Sequence, residues 1–233
     1  MKKRVLYLVE IYVAMVAVFV VAKPLFMLYN VAGHHFFVGD VFSVVWHGLS
    51  LDISTSIYFA LLPYLAVMIS LWWKGWGIMR LIMKWYYGIV AVIFSLALVA
   101  DASLYTFWGF KLDSSVFQYI DSTGDAFVSV SAGYLIVRII LIILISYGIY
   151  KLWVWITPRS LDAINIKQRI LSTLVALLMI GPMVIGMRGG TSVATTNVGQ
   201  VYYSSNQFLN HSAVNPLFSF LASLEKASDE NVV

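Results

Sequence analysis

The sequence predicts an all-α, polytopic membrane protein with five transmembrane helices and additional amphipathic helices at the outer interface. Of its 233 residues, 61% are hydrophobic and only 11% are charged, whereas soluble domains carry about 25% charged residues. The mean hydropathy is +0.86. Long apolar runs leave no stretch for a large aqueous core, which excludes a sizeable soluble catalytic domain. The absence of cysteine excludes disulfides, thiolate metal sites and cysteine nucleophiles.

Five apolar runs are long enough to cross a bilayer, because a rise of about 1.5 Å per residue must cover roughly 30 Å of hydrocarbon. They comprise residues 5–22, 52–73, 85–105, 132–156 and 170–187. The first run resembles a signal peptide, but its length and the lack of a small-residue cleavage site predict an uncleaved anchor. Pro63 lies inside the second run, where neighbouring groups can bond the freed backbone carbonyl.

Basic residues fall mainly on one side of these runs, and short cytoplasmic loops are enriched in Lys and Arg. That side holds Lys2, Lys3, Arg4, Lys74, Arg80, Lys84, Lys151, Arg159, Lys167 and Arg169. We therefore predict a cytoplasmic N-terminus and an extracytoplasmic C-terminus. The net charge of +4 does not indicate nucleic-acid binding, since the cations flank apolar runs and act as topology signals.

The segments between the runs predict helices at the outer interface. Asp40 can cap a short interfacial helix within residues 31–50, and residues 106–131 are expected to form a helical cap on the bundle. We place a five-helix membrane domain at 1–190 and juxtamembrane linker helices at 191–233. Ser204 or Ser205 can begin the first linker helix and Pro216 the second. Residues 225–233 are polar, and we expect them to lead into a further domain that is not part of this chain.

Charged residues inside or at the ends of membrane runs are functional candidates, because burying a charge in lipid is costly. On the predicted topology, one leaflet holds a cluster of five: Lys23, Asp52, Asp101, Arg138 and Arg188. Three cations and two anions predict a residual positive site, suited to a lipid phosphate because guanidinium groups bind phosphate oxygens at two points. The alternative is ion pairing between helices together with extension of these side chains to the interface.

The histidines give a weaker signal. His34, His35 and His47 lie near Asp40, but their spacing matches no standard zinc site, so we expect interfacial packing and no metal. His211 is expected at a surface or interdomain contact. The motifs of phosphate-binding loops, nucleophile elbows and helical metal-binding histidine pairs do not occur in the sequence.

Three stretches carry a family resemblance: DVFSVVWHGLSLDIST from Asp40, FWGFKLDSSVFQYI from Phe107, and FLNHSAVNPLFSF from Phe208. With five runs and two following helices, the chain resembles the N-terminal membrane domain of bacterial lipoteichoic acid synthase-like phosphoglycerol transferases, which belong to the sulfatase superfamily. Related members of that superfamily include sulfatases and phosphoethanolamine transferases, so the resemblance leaves the activity and the headgroup open.

The resemblance implies an enzyme whose catalytic domain follows this chain. That domain has an alkaline phosphatase-like α/β fold and uses a threonine nucleophile with a divalent metal, commonly manganese, to transfer phosphoglycerol from phosphatidylglycerol. No catalytic residue and no cofactor is therefore expected in this chain. Its expected role is to anchor the enzyme in the bacterial cytoplasmic membrane and to position an anionic phospholipid. Its expected partners are the bilayer, that lipid and the covalently following domain.

Two other functions remain open from the residues alone. In a non-enzymatic membrane scaffold or small transporter, the same charges would join helices or line a conduction path. Transport predicts polar residues through both leaflets, and the inner half offers little beyond Glu10. A complete intramembrane enzyme would need a nucleophile and a base on facing helices, and serines such as Ser56 and Ser95 have no histidine nearby in sequence. The oligomeric state is left open.

Overall fold

Five long apolar helices form the main body of the protein. The computed structural model describes residues 1–117, 131–191 and 195–230, with side chains through residue 227. The long helices are α1 (Lys2–Tyr29), α2 (Val38–Trp72), α3 (Trp76–Trp108), α4 (Ala132–Ile156) and α5 (Ile166–Arg188). Each is long and apolar enough to cross a membrane. The predicted fold, an all-α multi-pass membrane protein with five spans, is confirmed.

Two shorter helices follow the membrane helices. They are α6 (Gln207–Ala213) and α7 (Pro216–Glu230), and single 3₁₀ turns occupy Val31–Gly33 and Val198–Val201. Asn206 begins α6, since its side chain accepts a hydrogen bond from the backbone N–H of Phe208 at 3.0 Å. The prediction of a serine cap at 204 or 205 is therefore wrong by one or two residues. Pro216 does begin the second helix, as its preorganised φ favours.

The helix α2 is much longer than the predicted span. Its 35 residues extend roughly 52 Å at 1.5 Å per residue, well beyond the hydrocarbon thickness of about 30 Å. The separate interfacial helix predicted after Asp40 is thus the first part of α2. Asp40 does act at this helix start, where its carboxylate accepts a hydrogen bond from the backbone N–H of Phe37 at 2.7 Å. No proline interrupts the chain between Asp40 and Asp52, so the helix continues.

The other helix ends are defined by local signals. Gly109 ends α3 at φ 70°, and Gly189 ends α5 at φ 80°. Both angles lie in the left-handed region, which glycine adopts without strain because it has no Cβ. Asn165 and Gln168 form a reciprocal capping box at the start of α5. Of the cap predicted over residues 106–131, positions 118–130 lie outside the described residues.

Neighbouring helices run antiparallel, which gives the bundle two ends. We call the end that holds the N-terminus and the α4–α5 connection the basic end, and the end that holds Asp52, Asp101 and α6 the cap end. At the basic end, Arg4 donates to Ser70 Oγ at 3.1 Å and to the backbone carbonyl of Asp162 at 2.9 Å. Between the two ends the core is filled by large apolar side chains that are fully buried: Met15, Phe19, Phe94 and Trp153.

Pro63 inside α2 illustrates how a neighbouring helix completes the backbone. Proline has no N–H, so the carbonyl four residues earlier, at Phe59, loses its helical donor. The hydroxyl of Tyr86 on α3 donates to that carbonyl at 2.6 Å. The expectation that a neighbour would bond the freed backbone group is therefore confirmed.

The helix α6 does not lie on the surface as an amphipathic helix. Every residue of 208–213 is buried, and Phe208, Leu209 and Ala213 share one apolar cluster with Phe26 and Leu51. Burial on all sides is possible because the polar side chains have partners. Asn210, for example, accepts from the backbone N–H of Tyr203 and of Ser204 at 2.9 Å and donates to the Ser204 carbonyl at 2.7 Å.

A close backbone contact holds α6 against α2 at Gly48. A Cβ added at Gly48 would lie 2.3 Å from the carbonyl oxygen of Ala213 and 2.2 Å from Cε of Lys23. The carbonyl belongs to the backbone of α6 and cannot move without displacing that helix. Glycine is therefore required at position 48 for α6 to dock where it does.

Replacing Gly48 with Ala should displace α6 and destabilise the protein by about 1–3 kcal/mol, because the added methyl overpacks this contact. Thermal unfolding in detergent measures the loss, and limited proteolysis of residues 195–207 measures the release of α6. The matched control is Gly39→Ala on the same helix, where nothing lies within 4 Å of the added Cβ. Equal melting temperatures for the two variants would contradict the contact.

Candidate functional site

A buried ion pair joins α1 to α2 at the cap end. The ammonium group of Lys23 donates to Asp52 Oδ1 at 2.5 Å and also contacts the second carboxylate oxygen. The exposed fractions are 3% for Lys23 and 0% for Asp52, so water screens this pair very little. The side-chain amide of Asn215 donates to Asp52 Oδ1 at 2.9 Å. Asp52 thereby connects α1, α2 and the start of α7.

A second buried ion pair closes the end of α3. The ammonium group of Lys111 contacts Asp101 Oδ2, and the backbone N–H of Leu112 donates to Asp101 Oδ1 at 3.0 Å. Lys111 also lies 4.0 Å from the ring centroid of Phe26, a cation–π arrangement. The left-handed conformation of Gly109 lets the chain turn back towards the helix it has just left.

The cation of Arg138 has a different environment. Its Nε donates to Ser103 Oγ at 3.2 Å, and its Nη2 donates to the hydroxyl of Tyr29. The guanidinium carbon lies 3.8 Å from the ring centroid of Tyr134. Within the described ranges, Arg138 has no carboxylate partner. Its charge is thus held by neutral groups, while the charges of Lys23 and Lys111 are neutralised.

An apolar groove leads away from Arg138 along the bundle. We call this the cap-end groove; it lies between α1 and α4 over α3 and has a volume of about 460 Å³, which is within the range of small-molecule sites. Its aliphatic walls include Val18, Val21, Leu25, Leu141, Ile145 and Ile149. From Arg138 to Leu152, the α4 wall extends roughly 21 Å, enough to span the roughly 15 Å of hydrocarbon in one leaflet.

The predicted charge cluster is only partly assembled around this groove. Lys23, Asp101 and Arg138 line it, and Asp52 stands behind Lys23. Arg188 ends α5, which packs mainly against α2, and does not line the groove. Each anion is engaged in a pair: Asp52 with Lys23 across two helices, and Asp101 with Lys111 of the segment that follows α3. Arg138 is left without a carboxylate partner among the described residues.

Several residues of the site were not predicted from the sequence. Lys111 was placed only in an outer segment, and Asn215 was not considered. The signals that could have found them are local: Lys111 follows a glycine that ends a helix, and Asn215 precedes Pro216 at a helix start. Asn215 does cap α7, because its Oδ1 accepts from the backbone N–H of Leu217 at 3.0 Å.

The histidines take packing positions. His34 stacks on Phe208 with ring centroids 4.0 Å apart, and His47 stacks on Tyr203 at 4.1 Å. The part of the chain that the structure describes holds no group of three or more His, Cys, Asp or Glu that could bind a metal. Of the surface or interdomain contact expected for His211, the surface position is wrong, because the residue is only 6% exposed; its Nδ1 lies 3.0 Å from the hydroxyl of Tyr105.

Burial of His211 changes its protonation. Desolvation lowers the pKa of His211 below its ordinary value, the nearby ammonium of Lys111 lowers it further, and Asp101 opposes both effects. The other groups against this ring are uncharged: Tyr105, Gln207 on its own helix, and Tyr202 at a ring distance of 6.2 Å. Docking of α6 therefore favours the neutral form of the His211 imidazole.

No family model, curated protein or solved structure matches this chain.

Replacing Asp52 with Asn should destabilise the protein by about 3 kcal/mol, because it leaves the Lys23 ammonium buried without its counter-charge. Adding Lys23→Met removes that charge and should restore most of the loss. Thermal unfolding of both single variants and the double variant measures the coupling as a double-mutant cycle. The control is Lys3→Gln, which breaks the exposed pair with Asp162 and should not lower the melting temperature measurably. Additive effects at positions 23 and 52 would contradict the pairing.

The docking of α6 should weaken as pH falls from 7.5 to 5.5. The pKa of His211 is lowered from 6.5 in the folded protein, so below about pH 6.5 the unfolded chain binds more protons and the folded state loses stability. Melting temperature and proteolysis of residues 195–207 across this range measure the effect. His211→Gln, which keeps a hydrogen-bonding side chain but cannot titrate, should flatten the profile. A variant profile as steep as that of the wild type would exclude His211 as the titrating group.

Proposed function

We propose that this protein is a membrane domain that holds an anionic phospholipid for an enzyme acting at the membrane surface. The cap-end groove carries the proposal, because its apolar walls end at Arg138, a cation without a carboxylate partner in the described residues. A phospholipid matches both features. Its acyl chain fits the aliphatic walls, and its phosphate supplies the missing negative charge.

The hydrogen bonds of Arg138 support this assignment. A guanidinium has five N–H donors in a rigid plane, and Ser103 and Tyr29 each accept one of them. These contacts fix the orientation of the plane and leave donors for the two-point recognition of a phosphate. Lys23 and Lys111 contribute less to recognition, because each is already neutralised by its own aspartate.

The reaction that such a lipid would serve is proposed from the resemblance. In a lipoteichoic acid synthase-like phosphoglycerol transferase or a sulfatase-like relative, the membrane domain anchors a catalytic domain outside the cell. The manganese or other divalent metal of that domain lies outside this chain. The distribution of Lys and Arg supports an orientation with the basic end in the cytoplasm of a bacterium and the cap end, with its groove, at the outer leaflet.

A transport function receives less support from the bundle. A conduction path needs polar groups through both leaflets. Between the basic end and the cap end, the core of the described residues is filled by Met15, Phe19 and Phe94, each at most 1% exposed. The buried ion pairs of the described residues, in contrast, both lie at the cap end.

Replacing Arg138 with Gln should weaken the binding of phosphatidylglycerol by about tenfold, the size expected for one charge-assisted phosphate contact. Binding of phosphatidylcholine should change less, because its net charge is zero. Electron spin resonance with spin-labelled lipids measures the immobilised fraction in detergent or nanodiscs. The matched control is Arg188→Gln, since Arg188 belongs to the same predicted cluster but lies outside the groove lining.

Unchanged phosphatidylglycerol binding in the Arg138 variant, with a normal melting temperature, would overturn the lipid site. The link to an enzyme has a separate test, which is to sequence the reading frame beyond the codon for Val233. We expect it to encode a soluble domain with Asp, His and Thr in metal-site contexts. An immediate stop codon would contradict the anchoring role and leave the lipid site standing.

A further inference from the structure

A second groove lies at the basic end, on the face between α3 and α4. We call it the basic-end groove; its volume is about 410 Å³. Lys84, Gly88 and Val92 of α3 form one wall, and Tyr147 and Tyr150 of α4 form the other. It is separate from the cap-end groove, since the two share no lining residue.

Glycine keeps the floor of this groove open. A Cβ at Gly88 would meet only the ring of Tyr150, at 4.0 Å, so the position is not required for close helix packing. From Lys84 to Val92 the groove follows α3 for about 12 Å, which is within the roughly 15 Å of hydrocarbon in one leaflet. Its dimensions suit one acyl chain lying from the interface towards the bilayer centre.

Cations lie at and beside the interfacial end of the groove: Lys84 lines it, and Lys151 directly follows the lining residue Tyr150. Lys84 has no hydrogen bond or ion pair among the residues that the structure describes. Lys151 has no ion pair among them, and its ammonium lies over the ring of Tyr147, 5.3 Å from the centroid. One turn before Lys84, the buried Nε of Arg80 lacks a hydrogen-bond partner in the same ranges. Asp162, an acidic side chain at this end, is paired with Lys3.

Aromatic side chains mark the depth of this end. Trp85 is 72% exposed and Tyr147 is 60% exposed. Each has a large apolar ring with one polar group. Such rings are typical of the headgroup level, where one edge contacts hydrocarbon and the other contacts water. Lysines at that level interact with lipid phosphates.

We propose that the basic-end groove binds an anionic phospholipid, with its phosphate between Lys84 and Lys151 and one acyl chain crossing Gly88 towards Val92. The site lies at the opposite end of the bundle from Arg138 and serves a different lipid molecule. It does not depend on the function proposed for the cap-end groove. The bound lipid would stabilise the contact between α3 and α4 and hold the bundle at a fixed depth in the bilayer.

Native mass spectrometry of the full chain, titrated with phosphatidylglycerol or with phosphatidylcholine, tests this site. The Arg138→Gln background removes the cation that lacks a carboxylate partner in the cap-end groove and weakens that site, so that the tighter remaining binding reports on the basic end. We expect phosphatidylglycerol to bind more tightly than phosphatidylcholine. The double variant Lys84→Gln, Lys151→Gln should lose about tenfold in phosphatidylglycerol affinity, and Gly88→Leu should block both lipids by filling the groove.

Matched variants separate this site from general attraction to basic residues. Lys74→Gln with Lys167→Gln removes two exposed cations at the same end outside the groove, and Gly148→Leu adds the same side chain at an exposed glycine of α4. Both should bind phosphatidylglycerol like the parent. Soluble glycerol phosphate should not compete, since it lacks the acyl chain.

Four results would overturn the proposal: no preference for phosphatidylglycerol, full affinity in the Lys84 and Lys151 variant, equal loss in the Lys74 and Lys167 variant, or displacement by glycerol phosphate. The two lysine substitutions of the test change side chains that form no ion pair with a described residue, so the variant is expected to fold. Gly88→Ala, which fits at an ordinary contact distance, provides a milder variant and should retain binding.

Discussion

Charges that are removed from water must be neutralised where they lie, and this requirement determines the cap end of the bundle. Lys23 and Asp52 are almost completely buried, and each would be strongly destabilising without the other. Because Asp52 also accepts a hydrogen bond from Asn215, the same carboxylate fixes the start of α7. The position of the final two helices therefore follows from a pairing between the first two.

The second buried pair extends this arrangement to α3. Asp101 binds Lys111 and the backbone N–H of Leu112, so the chain leaving α3 folds back over the cap end. Lys111 then lies on the ring of Phe26, which is packed among Tyr105 and Phe208. The ion pair thus lies directly against the apolar cluster. The apolar side chains keep water away from the pair, and the low local dielectric strengthens it.

Once these pairs are formed, the charge that remains is the basis of the ligand that we propose for the cap end. Among the described residues, two lysines are neutralised by two aspartates, and Arg138 is left with neutral partners beside an apolar groove. The basic end has the same combination in a more exposed form, with Lys84 and Lys151 beside the groove that crosses Gly88. At each end, an apolar surface leads to a cation that the described residues do not pair. That combination complements an anionic phospholipid, which carries an acyl chain and a charge in one molecule.

The sequence by itself determined the five spans, because hydropathy and run length act locally and need no knowledge of the fold. It also marked Lys23, Asp101 and Arg138 as candidates, since charges inside or at the ends of apolar runs are costly in lipid. It did not determine where the helices begin. The helix α2 begins at Val38, 14 residues before the predicted run, and only docking against α6 explains why Gly48 is tolerated inside that helix.

Only the tertiary structure decided how the charges pair. Sequence reasoning grouped Arg188 with the others because all five lie in one predicted leaflet, but the order of helices around the bundle places α5 beside α2 and away from the groove. It overlooked Lys111 and Asn215, which lie in connecting segments and reach Asp101 and Asp52 only after the chain folds back. It also placed His211 at a surface or interdomain contact, although a helix with apolar and satisfied polar side chains can be buried on every side. Depth along a helix is encoded locally, whereas the partner across a helix interface depends on rotation and neighbour order, which arise from packing of the whole bundle.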